Sequence, residues 1–247
     1  MYYINNYIVY LIAMLACMII SGIASAKVKN AYAKYSRVPS RSGLTGYDVA
    51  VRLLRMNGIN DISVDRVAGT LTDHYAPAQS VVNLSTSTYS DRSVASSAVA
   101  AHEIGHVMQK YEGWLPYRIR TALVPVVNIG TNLAMPLVLI GIILDTMVRT
   151  SSPDLGFHVA MFGVILYGAA FVFALVTLPV ELDASRRAGK MLISAGVLTD
   201  AELPGAREVL GAAAGTYLAS LLTSLISFLR FLFYVLSIFG RSSDRRR

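Results

Sequence analysis

Four long apolar runs constrain this chain more than any other feature. They cover roughly residues 4–26, 123–148, 157–180 and 216–239, and about 20 helical residues cross a bilayer. Composition agrees: 54% of residues are hydrophobic, 15% are charged, and the mean hydropathy is +0.52. A soluble domain carries about 25% charge. The net charge of +7 does not point to nucleic acid, because the basic residues lie between the apolar runs and in the tail, with no aromatic-interleaved basic strand. Cys17, the single cysteine, excludes an intramolecular disulfide and a Cys-rich metal site.

The first run lacks a basic leader and exceeds the usual signal-peptide core, so it reads as an uncleaved anchor. The second and third runs are separated only by Arg149 to Asp154 and form a hairpin. The fourth carries Arg230 in its middle, where a charge is costly unless it is paired or faces a cavity. The expected organisation is therefore an anchor over 1–26, a catalytic region over 27–122, a transmembrane hairpin over 123–180, a helix and loop over 181–214, and a fourth apolar segment with a basic tail over 215–247. A hairpin at 123–180 puts the two polar regions on one side of the membrane. Regions 27–122 and 181–214 hold 12 and four of the 22 Lys and Arg residues, and the positive-inside rule then places them in the cytoplasm. The four arginines of the tail, Arg241 and Arg245 to Arg247, argue the other way if the fourth segment crosses fully.

Within 27–122 a small mixed fold is legible. Thr45 introduces a helix through Val49, Leu53 and Leu54, and Asn57-Gly58 ends it. Ile62 to Val67 alternates apolar and polar residues, Gly69 to Thr72 follows as further extended chain, and Ser80 to Ser85 reads as another strand. The segment near Val81–Leu84 is a candidate edge strand for holding an extended peptide. Ser93 caps a helix that runs through Ala95, Val99 and Met108.

That last helix carries His102-Glu103-Ile104-Gly105-His106. Histidines four apart share one helical face, so both rings can address one metal ion. Glu103, beside the first histidine, suits a general base acting on a zinc-activated water. A chance match on a surface helix is the plain alternative, but four histidines in the chain make this spacing informative. A catalytic zinc needs a third protein ligand and an open position. Glu181 and Asp183 are both candidates, placed where the third apolar run ends; two apart, they cannot share a helical face, so one can ligate while the other orients a histidine or pairs with Arg186 or Arg187. In Asp73-His74-Tyr75, His74 or Tyr75 is a candidate donor to a developing oxyanion, and His74 can equally be a plain turn residue. His158 reads as an interfacial residue.

The segments from Gly69 to Tyr75, Val99 to His106 and Leu178 to Ser185 resemble those of the YugP-like neutral zinc metallopeptidases, a family of bacterial membrane proteins. The likeness runs in order from about residue 43 to the fourth apolar segment. It implies a gluzincin-like site with one Zn2+, with His102 and His106 as ligands, Glu103 as base and Glu181 as third ligand. Two departures stand out. Ala76 occupies a position where the family commonly has an acid, and Ser185 falls where the more distant HtpX-type proteases carry an Asp, a role Asp183 could take over.

The expected fold class is α+β: a mainly helical integral membrane protein with about four transmembrane helices and a small mixed zincin-like catalytic unit. The expected function is a zinc-dependent metalloendopeptidase of the bacterial inner membrane, its site on the cytoplasmic side. Its partners would be the lipid bilayer, a peptide or membrane-protein substrate, and a membrane protein or a second copy of the chain. The competing reading is a non-enzymatic membrane scaffold or transporter-associated subunit with a structural zinc, for which Glu103 would have no use.

Overall fold

A computed structural model describes residues 2–147 and 154–244. In chain order the elements are α1 (Tyr2–Tyr35), α2 (Gly46–Met56), β1 (Ser63–Val67), β2 (His74–Ala76), β3 (Val81–Ser85), α3 (Thr86–Tyr89), α4 (Val94–Tyr111), α5 (Leu115–Met147), α6 (Leu155–Ser194) and α7 (Leu203–Asp244). Helices dominate, and a small mixed sheet completes the expected α+β class. The link from Arg149 to Pro153 and the arginines 245–247 lie outside the described residues.

The chain divides into two compact units. One comprises residues 1–21, 119–177 and 219–247. Its core is helical: Ala134 and Val138 of α5 meet Ala160 and Val164 of α6 and Phe231, Val235 and Phe239 of α7. Small residues set the spacing. A Cβ on Gly141 would lie 2.5 Å from the Gly156 carbonyl oxygen, so the two helices approach backbone to backbone, as membrane helices do. Outward-facing residues such as Ile129, Ile140, Phe162, Ile165 and Phe233 are exposed and apolar, which fits a lipid environment. Arg230, the charge in the fourth run, stacks over the Tyr10 ring at 4.4 Å from its centroid, a contact that offsets part of its desolvation.

The other unit comprises residues 22–118 and 178–218, and so unites the two polar regions. Helix α4 lies at its centre. Val94, Ala95, Ala98, Ala101, Ile104 and Val107 are fully or almost fully buried, packed with Leu53 and Leu54 of α2, Val82 and Leu84 of β3, and Ala188 and Leu192 of α6. The run of small residues at the start of α4 permits this crowding. Both early helices begin as their sequences require. Thr45 Oγ1 accepts from the Asp48 N–H at 3.1 Å while Asp48 accepts from the Thr45 N–H at 3.0 Å. Ser93 and Ser96 form the same reciprocal pair at 3.1 and 3.0 Å, which satisfies N-terminal donors that the helix leaves open.

The sheet order is β1-β3-β2, with β3 parallel to β1 and antiparallel to β2. This corrects two expectations. Val81–Leu84 belongs to the central strand, paired on both sides, so it cannot serve as the edge; β2 is an edge instead. Gly69 to Thr72 is not extended. Gly69 and Leu71 have φ of 109° and 58°, values of the left-handed side of backbone space that break a strand, and the chain turns there to bring β2 alongside β3. Among the described residues, four helices that cover most of the four apolar runs are long and apolar enough to cross a membrane. Helix α6 does not stop where its apolar run ends; it continues without a break through Pro179 to Ser194.

Candidate metal centre

Helices α4 and α6 together bring three metal-binding side chains to one point. On α4, His102 and His106 lie one turn apart, with ring centroids 4.8 Å apart and planes nearly perpendicular at 84°. On α6, Glu181 is 1% exposed. Its Oε2 lies 3.2 Å from His102 Nε2 and 3.4 Å from His106 Nε2. One donor atom from each of the three residues falls within 4.8 Å of the others.

The close crossing of the two helices depends on Gly105. A Cβ at that position would stand 2.6 Å from the Ala184 carbonyl oxygen and 3.1 Å from its Cα. No side chain fits there, and the absence of one lets α6 present Glu181 to both histidines.

The rear nitrogens of the rings are also engaged. His102 Nδ1 lies 3.2 Å from Ser185 Oγ. His106 Nδ1 lies 3.0 Å from Gln109 Oε1. Gln109 is fully buried and donates through Nε2 to the Val180 carbonyl at 2.8 Å and to Asp183 at 3.0 Å. Asp183 accepts from Arg187 Nε at 2.6 Å, and Arg187 Nη1 reaches Glu112 at 2.7 Å. The donor set fits zinc: two imidazoles anchored at Nδ1 and a carboxylate, with both Nε2 atoms facing the third donor. His102, His106 and Glu181 are thus positioned to hold one metal ion.

Asp183, the alternative third donor, points away from this cluster. A residue two positions along a helix lies on another face, and Asp183 faces Gln109 and Arg187. It also does not replace an Asp at position 185. Ser185, four residues from Glu181 and on its face, contacts His102 directly.

Glu103 is 7% exposed. Burial pushes its carboxyl up from 4.5 to about 7; the negative charges of Glu181 and Asp73 add to this, while His102 and the Tyr75 backbone amide oppose it. Helix α4 packs against β2, which carries that amide.

His74 sits on β2, exposed, and is not among the converging donors. Its Nδ1 faces the Thr72 carbonyl at 2.9 Å, and its Nε2 faces Asn83 Nδ2 at 3.2 Å. A carbonyl only accepts, so Nδ1 carries the proton and Nε2 accepts from Asn83. The ring therefore ties β2 to β3. Asp73 strengthens the same junction, accepting from the Ser85 N–H at 2.7 Å and from its hydroxyl at 2.9 Å. His158 lies on α6, exposed, with Nδ1 2.7 Å from the Asp154 carbonyl.

Comparison with known proteins agrees with this geometry. Residues 10–236 match the family described as "Putative neutral zinc metallopeptidase". The chain belongs to this family. It is 40% identical over 230 residues to the "Putative membrane protease YugP" of Bacillus subtilis (strain 168), covering 93% of this chain and 97% of that protein. No solved structure matches. Zinc is accordingly the metal that fits the three donors, and the four long helices with the membrane-protease relative make this a multi-pass membrane protein.

Sequence reasoning missed Gln109, and it noted Ser185 only as a departure without its contact to His102. Gln109 had a signal: it lies three residues after His106, on the same side of a helix whose buried positions, Glu103 and His106 apart, are otherwise small or apolar.

Proposed function

We propose that this chain is a membrane metalloendopeptidase that cleaves peptide or membrane-protein substrates, with His102, His106 and Glu181 as zinc ligands and Glu103 as general base. The convergence of the three donors beside a buried glutamate carries the reading. Three protein ligands leave a position open, whereas a structural zinc is closed by four.

When bound, zinc polarises the scissile carbonyl and acidifies a water molecule. The remaining work belongs to the chain. The Nε2 atoms of both histidines and one Glu181 oxygen would hold the ion. Glu103, ionised, takes a proton from the attacking water at a carboxylate oxygen and passes it to the leaving amine. A carboxyl that titrates near neutrality suits both transfers. Edge strand β2 is paired on one side, with β3, and its other side can hold the substrate main chain by strand addition. His74 then acts indirectly, by keeping β2 in register. We place the catalytic unit, residues 22–118 with 178–218, in the cytoplasm, on the strength of the Lys and Arg residues of those two regions.

Glu103→Gln tests the base. General acid–base catalysis contributes about 100- to 10,000-fold, so the variant should keep its zinc and lose cleavage of an unfolded protein substrate by at least that lower factor. Cleavage at the wild-type rate would refute the assignment.

A further inference from the structure

The side-chain amide of Gln109 can take one orientation only. On one side it meets the Val180 carbonyl at 2.8 Å and the Asp183 carboxylate at 3.0 Å. Both partners are acceptors, since Asp183 is ion-paired with Arg187 at 2.6 Å, so Nε2 must face them. Oε1 is then the atom 3.0 Å from His106 Nδ1. An amide oxygen accepts, so Nδ1 must carry the ring proton. His106 Nε2, which faces Glu181 at 3.4 Å, is left with the lone pair that a metal requires.

We infer that Gln109 is the positioning residue of the metal centre, which fixes His106 for coordination through Nε2, and that Asp183 and Arg187 act on the metal through it. The inference rests on the metallopeptidase reading only in taking His106 as a ligand. The bonds converge on Asp183, which accepts from Arg187 on one side and from Gln109 on the other, while Gln109 accepts from His106. It also crosses between α4 and α6, because the Val180 carbonyl that receives the Gln109 amide immediately precedes Glu181. One side chain therefore orients a ligand on α4 and holds the backbone beside a ligand on α6. Only an amide can do both, because it offers an acceptor and two donors at this length. Leucine offers neither, and glutamate keeps the acceptor but loses the donors.

Zinc affinity of the full chain in detergent micelles, measured by chelator competition, tests this beside thermal melting. Gln109→Leu should weaken zinc binding by about 10- to 100-fold, the usual effect of removing a histidine's outer partner. Gln109→Glu should recover most of that affinity while melting below wild type, because its carboxylate faces Asp183. Equal affinity in wild type and Gln109→Leu, with only the melting temperature lowered, would reduce Gln109 to a packing role and overturn the proposal. Gln109→Glu binding no better than Gln109→Leu would also overturn it. If Gln109→Leu does not fold, nitrogen NMR of the zinc-loaded wild type still decides: Nδ1 protonated and Nε2 bound on His106 supports the inference, and coordination through Nδ1 refutes it. A wild type that binds no zinc would remove the metallopeptidase reading itself, a distinct outcome that overturns both.

Discussion

Gly105→Ala adds one methyl group at the crossing of the two ligand-bearing helices. That group would sit 2.6 Å from the Ala184 carbonyl oxygen, whereas non-bonded heavy atoms prefer roughly 3.5 Å. Relief requires α4 and α6 to separate by roughly 0.9 Å at this point. Both neighbours are backbone, so no side chain can rotate out of the way. Ala184 is three residues from Glu181, and Gly105 lies between His102 and His106, so the displacement falls on the metal site. Ligand distances tolerate only about 0.2 Å. Overpacking costs about 1–3 kcal/mol, which corresponds to roughly 5- to 150-fold in zinc affinity if it is expressed there. Alanine's better helix propensity, about 1 kcal/mol over glycine, offsets part of the loss in overall stability. Zinc affinity, read by chelator competition, is therefore the sharper assay, with melting as a control. Affinity within twofold of wild type would refute the argument that Gly105 sets the distance between the ligands.

Other consequences follow from particular residues. The carboxyl of Glu103 is raised from 4.5 to about 7, so in metal-free protein the fold keeps its full stability below pH 4.5 and loses about 3 kcal/mol of it as pH rises from there through 7. Metal-stripped Glu103→Gln should therefore melt well above metal-stripped wild type at pH 8 and close to it at pH 4, and parallel melting profiles would contradict this. Asp73→Ala leaves the Ser85 N–H without its acceptor, at a cost of about 1–3 kcal/mol; because it loosens β2, KM should rise more than kcat falls, as steady-state kinetics would show. Ser93→Ala removes the cap of α4 and should lower unfolding stability by about 1 kcal/mol, with zinc affinity in the folded protein unchanged.

The features legible in the sequence are those set by local physics. Apolar length gave the four long helices, and the Thr45 and Ser93 caps were readable because a capping pair spans only three residues. The spacing of His102 and His106 fixed their common face. What escaped was decided across elements. Whether Val81–Leu84 lies in the centre or at the edge of a sheet depends on which strands flank it, and alternation along one strand cannot report that. The choice between Glu181 and Asp183 turned on the rotational setting of α6 against α4. Helical geometry required the two acids to face different ways but could not name the one facing the histidines; the family resemblance singled out Glu181. Gln109 stayed hidden because a glutamine near a helix end ordinarily faces water, and only burial against α6 reveals its partners. Gly69 to Thr72 was misread because a threonine-bearing segment favours strand, while the positive φ at Leu71 is imposed by the turn into β2.

Metal content per chain tests the central claim most directly, measured on purified wild type, Glu181→Ala and Asp183→Ala. One zinc per chain in wild type and in Asp183→Ala, with zinc lost from folded Glu181→Ala, is the result that His102, His106 and Glu181 predict. Zinc retained by Glu181→Ala and lost from Asp183→Ala would contradict it.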